Sequence, residues 1–264
     1  MGRPWLSVSP AKKTDMTPVL LGFLIAVAIG VTGVGGGVIT APVLILFLGV
    51  PPVEAVTVSL LFAAAVKMLV APAYVWRGQV DFRVLGRLLA GGIPGVLAGS
   101  LLLEKLSAAR QSAVLTTILG VTIAATAGFN LWRLWWRQHN DCLAKDRSGW
   151  LPLVALPIGA EVGFSSAGSG AMGTLALMNM TPLSAAQIIG TDICFGLGVS
   201  LVGGGVHWSL LHSTPEILKP LLIGGVVGGL AGVQVASSVP ARPLRMVLCL
   251  WLVFVGLQLC WRAL

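Results

Sequence analysis

The sequence predicts an all-α integral membrane protein with about eight spans in two pseudo-symmetric repeats, each of which opens with a discontinuous, glycine-rich helix. Three observations support this prediction: the composition, a series of long apolar segments, and motifs that recur at a constant spacing. Of the 264 residues, 56% are hydrophobic and 10% are charged, whereas soluble domains average about 45–50% apolar and about 25% charged residues. This composition excludes a soluble globular enzyme with a single membrane anchor.

Eight apolar segments follow one another along almost the whole chain. A helix needs about 20 apolar residues to cross the ~30 Å hydrocarbon core. Runs of this kind cover residues 17–50, 53–76, 83–103, 111–132, 150–180, 183–206, 217–237 and 243–262. The first of them, 34 residues long, would extend about 51 Å as one helix, so the first and fifth segments are too long for a single straight crossing.

The segments divide the chain into two halves joined by a polar linker. Residues 1–16 form an N-terminal lead, 17–132 the first transmembrane repeat, 133–149 the linker and 150–264 the second repeat. The first apolar run is too long for a signal-peptide core, and no A-x-A-like cleavage site ends it. We therefore expect the lead to be retained in the cytoplasm.

The distribution of positive charge predicts the orientation. If each long segment crosses once, 12 of the 17 Lys and Arg residues lie on the same side as the two termini. Positive residues are retained on the cytoplasmic side, so we expect a multi-pass protein of the plasma membrane with both termini in the cytoplasm. A hairpin that returns to its own side remains an alternative for each long segment, because the rule is a bias.

The charge and the cysteines point to neither nucleic acid nor metal. The net charge of +8 comes from basic residues that flank apolar spans and form no patch, which the topology explains without a nucleic-acid partner. The four cysteines form no C-x-x-C pair and no ligand cluster with histidine. The sequence therefore predicts no cofactor, no metal site and no catalytic residue.

Two motifs recur in the two halves at a spacing of 133 residues. "GVTGVGGG" at 30–37 aligns with "GFSSAGSG" at 163–170, and "GGIPGVLAG" at 91–99 aligns with "GGVVGGLAG" at 224–232. Internal duplication is common in transporters, in which the substrate site lies near the midplane between the halves. An even number of crossings per repeat would give the halves the same orientation, and an odd number would invert them.

The glycine-rich motifs at 30–37 and 163–170 interrupt the two over-long segments at equivalent places. A broken helix is tolerated at membrane depth only where its free backbone groups are buried in protein or line a watery cavity. A half-helix that begins after each break would direct N–H groups and a positive dipole end at that cavity. We therefore predict an anion site, although small residues also serve close helix packing. Hydroxyl donors are expected from Thr32, Ser165, Ser166 and Ser169.

Ionisable residues within the apolar segments are the second indication of a site, because each costs at least ~2.5 kcal/mol at the centre of a membrane helix. Lys67 lies in the middle of the second segment, Glu161 in the fifth and Asp192 in the sixth. Lys67 either contacts an anionic substrate or forms a structural ion pair with Asp192 or Glu161. The two carboxylates are candidates for coupling a proton to transport.

Several motifs resemble the sulfite exporter TauE/SafE family over about residues 17–262. They are "GVTGVGGGVITAPVL" at 30–44, A-x-x-x-S at 55–59, "RGQVDF" at 77–82, "IPGVLAG" at 93–99, "GSG" at 168–170 and "GTD" at 190–192. The resemblance implies a multi-pass carrier of small sulfur-containing anions, such as sulfite or organosulfonates including sulfoacetate. The chain departs from the triple-glycine pattern in its second half, where Ser169 separates two glycines.

Together these observations predict a secondary transporter that works by alternating access and is coupled to an ion or a proton. An anion channel and, with less support, a membrane-embedded enzyme are the alternatives; the chain is not expected to be an enzyme. The expected partners are the sulfur anion and membrane lipid, with a homodimer left open. The candidate substrate-binding residues are Thr32, Gly33, Gly35, Gly36, Gly37, Ser59, Lys67, Ser165, Ser166, Gly168, Ser169, Gly170 and Thr191.

Overall fold

The computed structural model describes residues 16–32, 36–108, 112–136, 147–167, 170–208, 215–235 and 241–263, and within these ranges it contains helices and no strand. The helices of the first half are α1 Met16–Thr32, α2 Gly36–Phe47, α3 Pro52–Trp76, α4 Phe82–Ala108 and α5 Ser112–Trp136. After a short 3-10 turn at Ser148–Trp150, those of the second half are α6 Leu151–Ser165, α7 Ala171–Met180, α8 Ala185–His207, α9 Pro215–Val235 and α10 Ala241–Ala263.

Three of these helices are long and apolar enough to cross a membrane when only the described residues are considered. They are α3, α4 and α8, and shorter apolar stretches occur in α1, α2, α5, α9 and α10. Both over-long segments are divided into two helices, α1 with α2 and α6 with α7. The predicted all-helical, interrupted architecture is therefore present, and the number of spans stays a prediction.

Close backbone contacts reveal the relative directions of the helices. Three glycines of α4 lie against three residues of α6 in the same order along both helices, Gly91 on Pro152, Gly95 on Leu156 and Gly99 on Ala160. In each pair a Cβ on the glycine would overlap the backbone of its partner. The two helices therefore run parallel at a distance that only glycine allows.

The same contacts recur between α1 and α9 with the two halves exchanged. Gly224 lies on Val19 and Gly228 lies on Phe23, and these positions differ by 133 residues from the corresponding pairs of α4 and α6 (91 + 133 = 224 and 152 − 133 = 19). The aromatic ring of Phe195 packs on Gly92, and that of Phe62 packs on Gly225, again at this spacing. The contacts thus recur at the spacing of the sequence motifs.

Helix α8 runs parallel to α4, because Gly198 packs on Leu89 and Gly203 packs on Val96. Since α6 also runs parallel to α4, α6 and α8 point in the same direction and α7 must turn back between them. In the first half α3 runs parallel to α9, because Phe62 packs on Gly225 and Val66 lies near Gly229. Since α1 also runs parallel to α9, α1 and α3 point in the same direction.

Each over-long segment is therefore a hairpin, and the expectation that segments 17–50 and 150–180 each cross the membrane once is wrong. The chain reverses direction between α1 and α2 and between α6 and α7. This reversal follows because α1 and α3 both run parallel to α9, and α6 and α8 both run parallel to α4. The prediction that both termini lie in the cytoplasm assumed that each long segment crosses the membrane once. Without that assumption, the side on which the termini lie has to be measured independently.

Equivalent helices of the two halves run antiparallel. Along α3 and α8, Gly203 lies near Leu60 whereas Gly190 lies near Tyr74, so the order of the residues is opposite in the two helices. Along α5 and α10, the Cys260 thiol lies 3.7 Å from the carbonyl oxygen of Thr117, and Gly256 packs on Ala124. The equivalent helices α3 and α8, and α5 and α10, therefore run in opposite directions, whereas the non-equivalent pairs α4–α6 and α1–α9 run parallel.

Candidate functional site

The two hairpins meet at Gly37, in the first turn of α2, and Ser166, directly after α6. A Cβ on Gly37 would overlap both the carbonyl oxygen and Oγ of Ser166. The amino end of a helix carries N–H groups without helical partners and the positive end of its dipole. The contact therefore brings the amino end of α2 against the carboxyl end of α6.

Ser166 has a strained backbone and a buried hydroxyl. Its φ of 63° makes it the one non-glycine residue with positive φ in the described part of the chain, a conformation that costs about 1–2 kcal/mol for a residue with a Cβ. Its Oγ is buried and has no hydrogen-bond partner among the described residues. In the repeat alignment the same position of the first half is Gly33 (166 − 133 = 33), and glycine is the residue type that adopts a positive φ without this cost.

The neighbouring Ser165 has a structural role within the carboxyl end of α6. Its Oγ donates to the carbonyl oxygen of Glu161 at 3.1 Å and accepts from the N–H of Ala167 at 3.3 Å. Both hydrogen bonds hold the chain as it leaves the helix. Of the two adjacent serines, Ser166 therefore offers the hydroxyl that a ligand could use.

Lys67 and Asp192 lie together beside the amino end of α7. Lys67 is 7% exposed and Asp192 is 4% exposed, and their charges interact. The Oδ2 atom of Asp192 lies 2.8 Å from Oγ1 of Thr174 in the first turn of α7. The lysine is therefore held within the protein by a carboxylate of the other half and does not extend to the membrane boundary.

Glu161 is not the partner of Lys67. Its carboxylate Oε1 contacts Oγ1 of Thr126 on α5, and the structure gives it no ion pair within the described residues. Of the two pairings open from the sequence, the structure therefore favours the one with Asp192.

Thr191 lies against the loop between α3 and α4. Its Oγ1 accepts the N–H of Asp81 at 3.1 Å, and a Cβ on the adjacent Gly190 would overlap the carbonyl oxygen of Gln79. The carboxylate of Asp81 in turn accepts from the N–H groups of Arg83 and Val84, both at 2.9 Å, and so caps α4. The "GTD" motif thus joins the two halves through backbone contacts before it supplies Asp192.

Replacing Thr191 by Val should destabilise the fold while leaving anion affinity almost unchanged, because the exchange removes only the acceptor of the Asp81 N–H. Leaving a buried donor unpaired costs about 1–3 kcal/mol. Thermal unfolding in detergent and binding of the anion, measured on the same preparation, test this role. A selective loss of affinity at unchanged stability would instead place Thr191 in the binding site.

The remaining candidates are distributed around these contacts. Ser59 is buried and donates to the carbonyl oxygen of Ala55 at 2.6 Å, Gly170 is buried directly before α7, and Thr32 and Gly36 are the helix ends that flank the first break. Four candidates lie outside the described residues: Gly33, Gly35, Gly168 and Ser169.

A polar cluster that the sequence does not predict lies around Gly163 of α6, one turn before Ser166. The fully buried ring of His207 places Nε2 at 3.3 Å from the carbonyl oxygen of Gly163, and Ser100 also adjoins Gly163. His207 lies near the end of an apolar segment. Its burial follows from the parallel packing of α4, α6 and α8, which no sequence pattern indicates.

The described residues contain no group of three His, Cys, Asp or Glu side chains that could hold a metal ion. The groups available for chemistry are instead hydroxyls, helix amino ends and a buried lysine with its counter-ion. Hydroxyls and helix amino ends can donate hydrogen bonds to an anion.

Comparison with known proteins identifies the family. Residues 19–259 match the profile of the sulfite exporter TauE/SafE family. The chain belongs to this family. The match covers both hairpins and every helix that contributes to the site.

Curated relatives of this TauE/SafE protein are described as transporters. The chain is 26% identical over 253 residues to the "Probable membrane transporter protein YjnA" of Bacillus subtilis, an alignment that covers 91% of this chain and 98% of the relative. It is 30% identical over 123 residues to a "Probable membrane transporter protein" of Xylella fastidiosa, covering 47% of this chain and 45% of the relative. The protein is therefore a member of a membrane transporter family.

Proposed function

We propose that this TauE/SafE protein is a secondary carrier of small sulfur-containing anions, such as sulfite or an organosulfonate, and that the anion binds where the two hairpins meet. The observation that supports this proposal most is the contact of Gly37 with Ser166. It joins a helix amino end to a buried hydroxyl without a partner among the described residues. Both groups donate hydrogen bonds to an anion.

The strain at Ser166 supports a functional role for its hydroxyl. Glycine would occupy a positive φ without cost, and the equivalent position of the first half is a glycine. Strained backbone that persists in a structure is concentrated at functional sites. A serine at this position destabilises the backbone locally but provides a hydroxyl that can donate a hydrogen bond.

Lys67 supplies the full positive charge of the proposed site. A helix amino end offers only about half an elementary charge, and a sulfonate carries a whole negative charge. Asp192 interacts with the charge of Lys67 and accepts a hydrogen bond from Thr174 in the first turn of α7. The anion would thus be held by groups from both halves.

The opposite directions of α3 and α8, and of α5 and α10, suggest how the carrier works. We infer that the two halves are inverted repeats, each with one hairpin. In carriers with inverted repeats, exchanging the conformations of the two halves opens the central site to the other side of the membrane. This gives alternating access in the plasma membrane without nucleotide hydrolysis.

Proteoliposome flux distinguishes the carrier from its alternatives. A carrier gives saturable uptake and counterflow of labelled anion, whereas a channel gives flux that does not couple to the anion on the other side. Formation of a chemical product would indicate an enzyme. The anions to compare are sulfite, thiosulfate, sulfate, sulfoacetate and taurine, first by thermal shift of the purified protein and then by flux.

Replacing Ser166 by Gly should weaken anion binding while preserving or raising thermal stability, because it removes the hydroxyl and also relieves the strained φ. Losing one hydrogen bond to a charged ligand corresponds to about 1.5–3 kcal/mol, or roughly 10- to 150-fold in affinity.

The control is Ser166→Ala, which removes the same hydroxyl but keeps a Cβ at positive φ. Both variants should bind weakly, and the glycine variant should melt at the higher temperature. If Ser166→Gly bound the anion as tightly as the unchanged protein, the hydroxyl would not belong to the site.

A further inference from the structure

We propose that Glu161 carries the proton that couples transport, with Thr126 as its hydrogen-bond partner, and that Asp192 remains ionised as the counter-ion of Lys67. This inference depends on the proposed carrier function. It separates two carboxylates that the sequence left equivalent, and it assigns them different tasks.

Glu161 lies one helical turn before the end of α6, the first helix of the second hairpin. Its backbone carbonyl accepts the hydroxyl of Ser165 at 3.1 Å, and Ser165 is followed directly by the proposed anion ligand Ser166. The side chain is only partly buried within the protein. A change of charge at Glu161 therefore occurs on the same rigid turn that positions the anion-binding hydroxyl.

The hydroxyl of Thr126 can accommodate both protonation states of Glu161. Its Oγ1 lies 2.7 Å from the carbonyl oxygen of Thr122 and also contacts Oε1 of Glu161. A hydroxyl has one hydrogen to donate and two lone pairs to accept with. When Glu161 is ionised, Thr126 donates to it; when Glu161 is protonated, Glu161 donates to Thr126, and Thr126 donates to Thr122.

Among the side chains that the structure describes around α6, no cation is paired with Glu161. On α8, His207 faces the backbone of Gly163 and Asp192 faces Thr174 and Lys67. The other ionisable groups on these helices are Arg83, Arg87, Glu104 and Lys105 on α4, Cys194 on α8 and Arg133 on α5.

The structure gives no ion pair between Glu161 and those of these groups whose side chains it describes. Arg87 contacts Ser148, and Glu104 and Lys105 are exposed. An ionised carboxylate in a membrane helix without a cation is costly, so protonation is the inexpensive way to neutralise Glu161.

Asp192 differs because a positive charge is present beside it. The charges of Lys67 and Asp192 interact, and protonation of Asp192 would leave a buried lysine without its counter-ion. Breaking a buried pair in this way is strongly unfavourable. The proton is therefore expected on Glu161.

The charges then balance over the transport cycle. With the site empty, Lys67 and Asp192 cancel and ionised Glu161 leaves one negative charge. With a monovalent anion bound and Glu161 protonated, the net charge is again one negative charge. One proton and one sulfonate would thus move together, and no net charge would cross the membrane.

The test uses the full-length protein in proteoliposomes with methanesulfonate, which does not titrate near neutral pH. An inward proton gradient should drive its accumulation, with a matching alkalinisation of the medium. Glu161→Gln should abolish gradient-driven accumulation but retain counterflow exchange, since a neutral side chain imitates the protonated state. Thr126→Val should retain coupling and shift its pH dependence, and Glu104→Gln, at an exposed site, should behave as the unchanged protein.

A second measurement does not depend on transport. Infrared difference spectra between acidic and alkaline pH should show a protonated carboxyl band that Glu161→Gln removes and Asp192→Asn leaves in place. A band removed by Asp192→Asn instead, or gradient-driven accumulation by the Glu161→Gln variant, would overturn the inference. If the unchanged protein showed no saturable flux of any sulfur anion, the carrier proposal would fail, and the infrared band would still decide where the proton binds.

Discussion

Replacing Lys67 by Met is expected to abolish measurable binding and transport of the sulfur anion. Methionine keeps the length and apolar stem of the side chain but removes the full positive charge of the site. Removing a charged hydrogen-bond donor from a buried anion costs about 3 kcal/mol or more, which is at least roughly a hundredfold in affinity. Isothermal titration with the best anion of the thermal-shift screen measures the loss.

The alternative role of Lys67, a purely structural pair with Asp192, is tested by the double variant Lys67→Met/Asp192→Asn. It removes both charges and leaves neither partner buried alone. If the pair were structural, the double variant would fold and bind the anion; if Lys67 binds the anion, it folds and does not bind. Lys105→Met, at an exposed lysine in the last turn of α4, is the matched control and should bind normally.

Replacing Gly37 by Ala is expected to produce the second large effect. The new methyl group would overlap the backbone and hydroxyl of Ser166, and backbone cannot move as a flexible side chain does. Overpacking of this kind costs about 1–3 kcal/mol, and here it would also separate the two groups that donate to the anion. We expect a lower melting temperature and a loss of transport of about tenfold or more.

Gly86→Ala in α4 is the matched control, because a Cβ at Gly86 meets no atom within 4 Å. The substitution raises helix propensity by about 1 kcal/mol and should leave transport unchanged. Gly37→Ala gains the same propensity, so any loss of stability at that position comes from the contact with Ser166. If Gly37→Ala and Gly86→Ala had the same melting temperature and the same transport rate, the two hairpins would not meet at Gly37 and Ser166.

The sequence predicts the parts of this architecture that follow from local patterns. The glycines at 33–37 lower helix propensity within an over-long apolar run, and the structure ends α1 at Thr32 and begins α2 at Gly36. The spacing of 133 residues between motifs predicts contacts that recur with the halves exchanged. Lys67 stands out because a lysine in the middle of an apolar segment is costly, and its pairing with Asp192 was one of two options.

The parts that depend on packing between distant helices could not be predicted. The reversal at each break follows from the parallel packing of α1 on α9 and of α6 on α4, which is a contact between halves. Thr126 and Thr174 carry no signal in the sequence, because Thr is ordinary in apolar helices, and the burial of His207 depends on contacts between distant helices. Thr191 was predicted to bind substrate, while its hydroxyl accepts a backbone N–H of the loop at Asp81.

The most direct test of the central claim is an experimental density map of the protein in lipid with a saturating concentration of sulfoacetate. We predict two hairpins whose ends meet between Gly37 and Ser166, with density for the anion within hydrogen-bonding distance of the Ser166 hydroxyl and beside Lys67. Continuous helices through residues 33–37 and 166–170, packed against each other with no space for an anion, would contradict the account.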